Sequence, residues 1–258
     1  MTNAAWLSLS NAILRLIYPQ RKGLNINRLW AIPVLMAFCA LLPAMATADG
    51  GSILKQRCVS CHDLTGPAPV TLAALWQRKG PDLFYAGNKY RQAWVEAWLQ
   101  NPKRIRPAGM FYIDHIKPGE KRDKVDEATL SKHMKLNAAD ANAVAAALAQ
   151  MKGKSVLIKA EKHDPTMAPG PLGEMMFDKF FGCMACHQIE PGFGGLSGPE
   201  VYTAGRRLTP EYMLSYIRSP QAWDPKTWMP NKHVPEMSLQ KMVNYMIELS
   251  KEDWDEAK

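Results

Sequence analysis

Two five-residue segments carry the residue types best able to do chemistry: Cys58-Val59-Ser60-Cys61-His62 and Cys183-Met184-Ala185-Cys186-His187. Each is a Cys-x-x-Cys-His pattern of the kind used for c-type haem attachment. Two thiols at this spacing can add to the two vinyl groups of one haem, and the adjacent imidazole then lies beneath the iron as its proximal ligand. A redox dithiol, half of a zinc site or a local disulfide each explains part of one motif. None of them explains a histidine in the same place twice. The only other cysteine, Cys39, sits in an apolar N-terminal run, so the later chain has no thiols left to complete a tetrahedral zinc site. The sequence therefore asks for two haem c groups, held by Cys58 and Cys61 with His62, and by Cys183 and Cys186 with His187.

The elements that must position these motifs also come twice. Gly80 to Pro102 lies without gaps on Gly198 to Pro220 at an offset of 118, with Gly80, Pro81, Ala86, Gly87 and Pro102 recurring as Gly198, Pro199, Ala204, Gly205 and Pro220. Trp94, Val95, Trp98 and Leu99 fall where Tyr212, Met213, Tyr216 and Ile217 fall, on one helical face. A short helical segment precedes each motif, over 51–57 and 173–182. A terminal helix closes each copy, one after Asn137 as N-cap with Val144 and Leu148 inward, the other after Ser238 with Met242, Tyr245 and Leu249 inward. No strand alternation is convincing, which predicts an all-α fold. Lys159 to Gly173 contains Pro165, Pro169 and Pro171 and reads as an extended, fairly stiff linker. The expected domains are 49–158 and 174–258.

The chain has 258 residues, 47% hydrophobic and 22% charged, which excludes a wholly disordered protein. Residues 1–48 read as an export signal: Arg15, Arg21, Lys22 and Arg28 precede an apolar run from Leu29 to Ala46, and Ala46-Thr47-Ala48 suits cleavage before Asp49. An uncleaved anchor is the competing reading, and it makes the N-terminal segment the only route to a membrane. Removing its four basic residues lowers the formal charge from +8 by four, which leaves no nucleic-acid footprint.

Helix, Cys-x-x-Cys-His, a Gly-Pro loop, a middle helix ending at Asn101-Pro102 or Ser219-Pro220, a methionine loop and a terminal helix together resemble the class I cytochrome c family, twice over. The resemblance is nearest to tandem dihaem members: periplasmic cytochromes that feed terminal oxidases, and the haem subunits of sulfide-oxidising flavocytochromes. It implies two tandem cytochrome c domains, each wrapped round one haem. It also implies a methionine opposite each histidine. Met229, nine residues after Pro220 and followed by Pro230, matches well. The first copy departs by about twenty extra residues before its terminal helix. There Met110, eight residues after Pro102, is the expected ligand, with Met134, His115 and His133 as alternatives. Arg104, Arg106, Arg206 and Arg207 are candidates to meet haem propionates or simply to face solvent. Trp76, Trp94, Trp98, Trp223 and Trp228 are expected to pack round the porphyrins. His163 and His233 receive no role.

The preferred functional reading is a periplasmic carrier of single electrons with both axial positions of each iron filled and no substrate pocket. Its partners would be redox proteins: a dehydrogenase, an oxidase or a membrane complex. A peroxidase-like dihaem oxidoreductase with a catalytic first haem is the alternative. The remaining reading is an electron-transfer subunit of a larger enzyme, with the extra segment from Phe111 to His133 as a docking surface.

Overall fold

The computed structural model describes residues 49–254, and over them the chain is mainly helical. The export segment read over 1–48, with Cys39, lies outside the described residues. No described helix is long and apolar enough to cross a membrane.

Local polar chemistry starts the elements of the first copy. The Asp49 carboxylate accepts from the backbone N–H groups of Gly51 and Ser52 at 3.2 and 3.1 Å, which satisfies donors a first turn leaves free and begins α1 (Gly50–Ile53). This helix widens into a π turn, Leu54–Cys58, that delivers the first motif. Thr71 caps α2 (Leu72–Trp76) in the same way, and α3 (Ala86–Lys89) and α4 (Gln92–Gln100) follow. The extra segment carries a small hairpin of β1 (Ile116–Lys117) and β2 (Lys124–Val125). Asn137 then caps α5 (Ala138–Gln150), its Oδ1 accepting from the Asp140 N–H at 2.8 Å, as the sequence predicts.

The second copy keeps the opening helix, the π turn, the middle pair of helices and the terminal helix, but its hairpin follows the motif directly and a short helix is added after the middle one. After α6 (Leu172–Met175) comes a second π turn, Met176–Phe180, then a hairpin of β3 (Gln188–Glu190) and β4 (Phe193–Gly194), α7 (Ala204–Arg207), α8 (Pro210–Arg218), α9 (Pro220–Trp223) and α10 (Glu236–Leu249). The hairpins are too short to leave an alternating pattern, which is why the sequence hides them. α10 begins at Glu236, before the expected cap at Ser238. Pro235, with φ −59°, already sets the chain for entry into the helix.

Two apolar clusters form, one centred on each terminal helix, with Tyr85 of the first copy packed into the second cluster. In the first, Ile53, Leu54, Val95 and Leu99 pack on Ala141, Val144, Ala145 and Leu148 of α5. In the second, Met176, Phe177, Met213 and Leu214 pack on Leu239, Met242, Val243 and Met246 of α10. A shift of 98 residues carries each of those four α5 positions onto its α10 counterpart, so the two terminal helices present the same face. Tyr245 and Leu249, expected inward, are half-buried, and Tyr245 lies over Phe177 at 6.2 Å between ring centroids. The linker is fastened rather than free: Asn244 of α10 donates to the carbonyls of Asp164 and Met167, both at 2.9 Å, and Gln240 donates to that of Lys162 at 2.8 Å.

The copies meet across a local two-fold axis. Tyr90 and Leu208 face one another in an antiparallel bridge. Beside it the Arg91 N–H donates to the Arg207 carbonyl at 2.9 Å and the Thr209 N–H to the Lys89 carbonyl at 3.0 Å. Moving 118 residues along the chain turns Lys89, Tyr90 and Arg91 into Arg207, Leu208 and Thr209, so the second bond is the first one repeated by symmetry. Gly87 and Gly205, equivalent under the same shift, let α3 and α7 press on the terminal helices. A Cβ on Gly87 would lie 2.2 Å from the Ala149 carbonyl oxygen, and one on Gly205 would lie 2.7 Å from the Ile247 Cα.

Candidate functional site

Both motifs follow a π turn, which in the first copy ends on Cys58 and in the second ends on Phe180, with Gly182 at a positive φ of 64° just before Cys183. The Val59 N–H reaches back to the Leu54 carbonyl at 3.2 Å and the Phe181 N–H to the Met176 carbonyl at 3.0 Å, each spanning five residues. Such bulges occur mostly as single turns and often at functional sites, because they re-aim the residues that follow. The His62 N–H then bonds the Cys58 carbonyl at 3.0 Å, and the His187 N–H bonds the Cys183 carbonyl at 3.1 Å. Each cysteine pair is thus wound into one tight turn with its histidine. All four thiols are free, with Cys61 and Cys186 exposed and Cys58 and Cys183 half-buried. Burial pushes the Cys183 thiol up to about 11 against the pull of nearby Lys232, and it raises Cys58 as well. These two sulfurs are protonated at neutral pH.

The imidazoles are held alike. His62 Nδ1 lies 2.8 Å from the Pro81 carbonyl oxygen, and His187 Nδ1 lies 2.7 Å from that of Pro199. A carbonyl only accepts, so Nδ1 carries the proton in both rings and Nε2 keeps its lone pair. Burial, first among the causes, lowers both histidines below the ordinary value and favours this neutral form. Gly80 and Gly198 make the fit possible. A Cβ on either would stand 2.7 Å from the Cε1 of the neighbouring histidine. The recurring Gly-Pro is legible in the sequence, but its role as the seat of the imidazole is not, since it lies 18 residues after His62 and 11 after His187.

The second donors are distributed unequally. Met229 is half-buried in the loop before α10, with its carbonyl accepting from Gln221 at 2.9 Å, and Lys232 of the same loop lies near Cys183. Met110 is also half-buried, but the bonds of its loop run to the other copy: the Ala108 N–H donates to the Leu196 carbonyl at 3.3 Å, and the Glu200 N–H to the Ile105 carbonyl at 2.8 Å. His115 is tied to Thr129 at 2.8 Å, and the Met134 side chain is exposed. His133 lies beside the first motif, with its ring centroid 6.2 Å from that of His62 and 4.7 Å from that of Trp98. His163 bonds Asn244 at 2.7 Å, and His233 takes a positive φ of 49° in the loop after Met229.

Three of the four candidate arginines have other work. Arg104 pairs with Glu127 at 2.7 Å, Arg207 with Glu200 at 3.3 Å, and Arg206 bonds the carbonyls of Ser250 and Glu252. Arg106 instead sits where the copies meet, donating to the carbonyls of Met110 and Ser197 at 3.4 Å, with burial disfavouring its charge. The tryptophans also divide. Trp223 is fully buried in the second core, its Nε1 bonded to Ser215 at 3.0 Å, whereas Trp76 and Trp228 are exposed and touch edge-on at 5.4 Å. Large apolar side chains stand exposed in and just before the motifs, Val59 within the first and Phe180 three residues ahead of the second. A cleft of about 360 Å³ opens beside Cys61 and His62, walled by Ala74, Gln77 and Gly80.

These observations fit a covalently attached haem at each motif: a thiol pair in one turn, an imidazole with a fixed tautomer and a free Nε2, and apolar surface for a porphyrin to cover. Among the described residues no group of three or more His, Cys, Asp or Glu side chains is gathered round a point where they alone could hold a metal ion. No family model, curated protein or solved structure matches the chain.

Proposed function

We propose that this chain is an exported dihaem c-type cytochrome that passes single electrons between redox proteins in the periplasm, as a free carrier or as the electron-transfer subunit of a larger complex. Its two halves, 49–158 and 174–258, are read as class I cytochrome c domains in tandem. The observation that carries the proposal is the twice-made bond from a motif histidine's Nδ1 to the carbonyl of the proline after a glycine, at 2.8 and 2.7 Å. Hydrogen bonding of the second nitrogen is how proteins orient a metal-ligating histidine and raise its basicity.

When bound, each haem supplies a one-electron ferric/ferrous couple. The chain's own residues do the rest. Cys58 with Cys61, and Cys183 with Cys186, supply the thioether sulfurs. His62 and His187 present Nε2, while Pro81 and Pro199 keep the ring planes from turning. Met229 would offer its sulfur for the second site.

Production of the full chain with haem-attachment machinery tests this reading. Intact mass should rise by two haems, and replacing Cys58 and Cys61 by Ser should remove one of them. A chain that leaves the same machinery with all four motif thiols alkylatable and no added mass overturns the proposal.

A further inference from the structure

The first site need not follow the second in its choice of sixth donor, and its geometry points elsewhere. We propose that His133 is the second axial ligand of the first iron, opposite His62, an inference that rests on the haem reading above.

Four observations converge on it. The His62 and His133 ring centroids are 6.2 Å apart. Two imidazoles bound through nitrogen to one ion are separated by about 6 Å, made of two metal–nitrogen bonds of about 2 Å and two ring radii of about 1 Å. His133 Nδ1 lies 2.8 Å from the Met134 carbonyl oxygen, so by the argument used for His62 its Nε2 is also the free nitrogen. Trp98 backs the His133 ring at 4.7 Å and is itself fixed by a 2.8 Å bond from Nε1 to the Lys103 carbonyl. An iron ligand with a set tautomer and an aromatic wall has little freedom to swing away.

Register supports the same choice. The 98-residue shift that superposes α5 on α10 also carries buried Leu136 onto buried Val234, and it places Met229 opposite Ser131, two residues before His133. Counted back from the terminal helix, His133 therefore occupies the stretch of chain that supplies Met229 in the second copy. The extra segment of the first copy then precedes its ligand rather than following it. Met110, counted forward from the middle helix, falls in the loop that Leu196 and Glu200 of the second copy have claimed.

The consequence is functional. Imidazole in place of a thioether lowers the potential of a haem, so the first site would be the stronger reductant and an electron arriving there would come to rest at the second. The chain would then be directional, not a pair of equivalent sites.

Near-infrared magnetic circular dichroism and electron paramagnetic resonance of the ferric full-length holoprotein read both irons at once. The expected spectrum holds one bis-histidine and one His/Met signal. His133→Ala should replace the bis-histidine signal by a high-spin one that added imidazole restores, while Met110→Ala leaves both signals in place. His133 is exposed, so far-ultraviolet circular dichroism should show the fold intact in the variant. Two His/Met signals in the parent protein, or a His133→Ala spectrum identical to the parent's, overturn the proposal. Haem mass is measured on the same samples. A protein without covalent haem defeats the underlying reading, and a dihaem protein indifferent to His133 defeats only this one.

Discussion

At the scale of single residues the site depends on what is missing from Gly80 and Gly198. Each imidazole is clamped between its own cysteine turn and a Gly-Pro carbonyl, and the clearance is smaller than a methyl group requires. Alanine at Gly80 would put its Cβ 2.7 Å from His62 Cε1 and 2.9 Å from Nδ1, and Gly198 is the same case for His187. The ring must tilt, because the alternative is to move the main chain of the cysteine turn. Overpacking of this kind costs about 1–3 kcal/mol. Gly80→Ala should therefore leave both haems attached yet broaden the low-spin resonance of the first iron alone, with Gly198→Ala doing so at the second. Resonance spectra of the two variants that match the parent's would show that the carbonyl does not set the ring.

At the scale of elements the chain states its helix starts clearly where a side chain does the capping. Asn137→Ala should cost about 1 kcal/mol in denaturant unfolding, since Asp140 loses the acceptor that begins α5. α10 begins differently. Pro235 sets the entry, and the Glu236 carboxylate is held below its ordinary value by Arg218 and, less strongly, by Gln240. A carboxylate depressed in the fold adds stability above its unfolded value of about 4.3 and loses it as pH falls through the folded value. The gap in denaturation midpoint between the parent and Glu236→Gln should thus be present at neutral pH and close on acidification. A gap that is constant with pH would remove Glu236 from the account. The contrast explains what was legible. Cys-x-x-Cys-His, Asn137 and the Gly-Pro repeat announce themselves because local chemistry fixes their residue types. The start of α10 and the two hairpins turn on a proline's φ and on strands of two or three residues. The docking of the linker turns on Gln240 and Asn244, polar residues buried on a helix face, and only the partner carbonyls of 162, 164 and 167 show what they are for. Sequence spacing favours Met110 because it counts forward from the middle helix, and it cannot see that the backbone at 105 and 108 is bonded to the other copy or that His133 lies beside His62.

At the scale of the whole molecule the question is whether the two halves behave as one. Backbone bonds around Tyr90 and Leu208 supply the symmetric part of the seam, and Arg78 supplies an asymmetric part. It pairs with Asp82 in its own copy and with Asp224 of the other at 2.7 Å, and the three side chains are at most 14% exposed. Removing one member of a buried ion cluster costs about 3–5 kcal/mol, because the charges left behind have lost both water and partner. For a chain of this size that amounts to about 6–20 °C in the unfolding temperature. The loss falls on the contact that joins two apolar clusters, each centred on its own terminal helix, so the effect should not be a uniform downward shift. Arg78→Met is expected to turn a single calorimetric transition into two, with the halves melting apart, while both haems remain attached. If the variant melts in one transition at the parent's temperature, this ion cluster does not hold the copies together, and the task falls to the backbone seam and to Tyr85, packed against Trp223 at 5.4 Å.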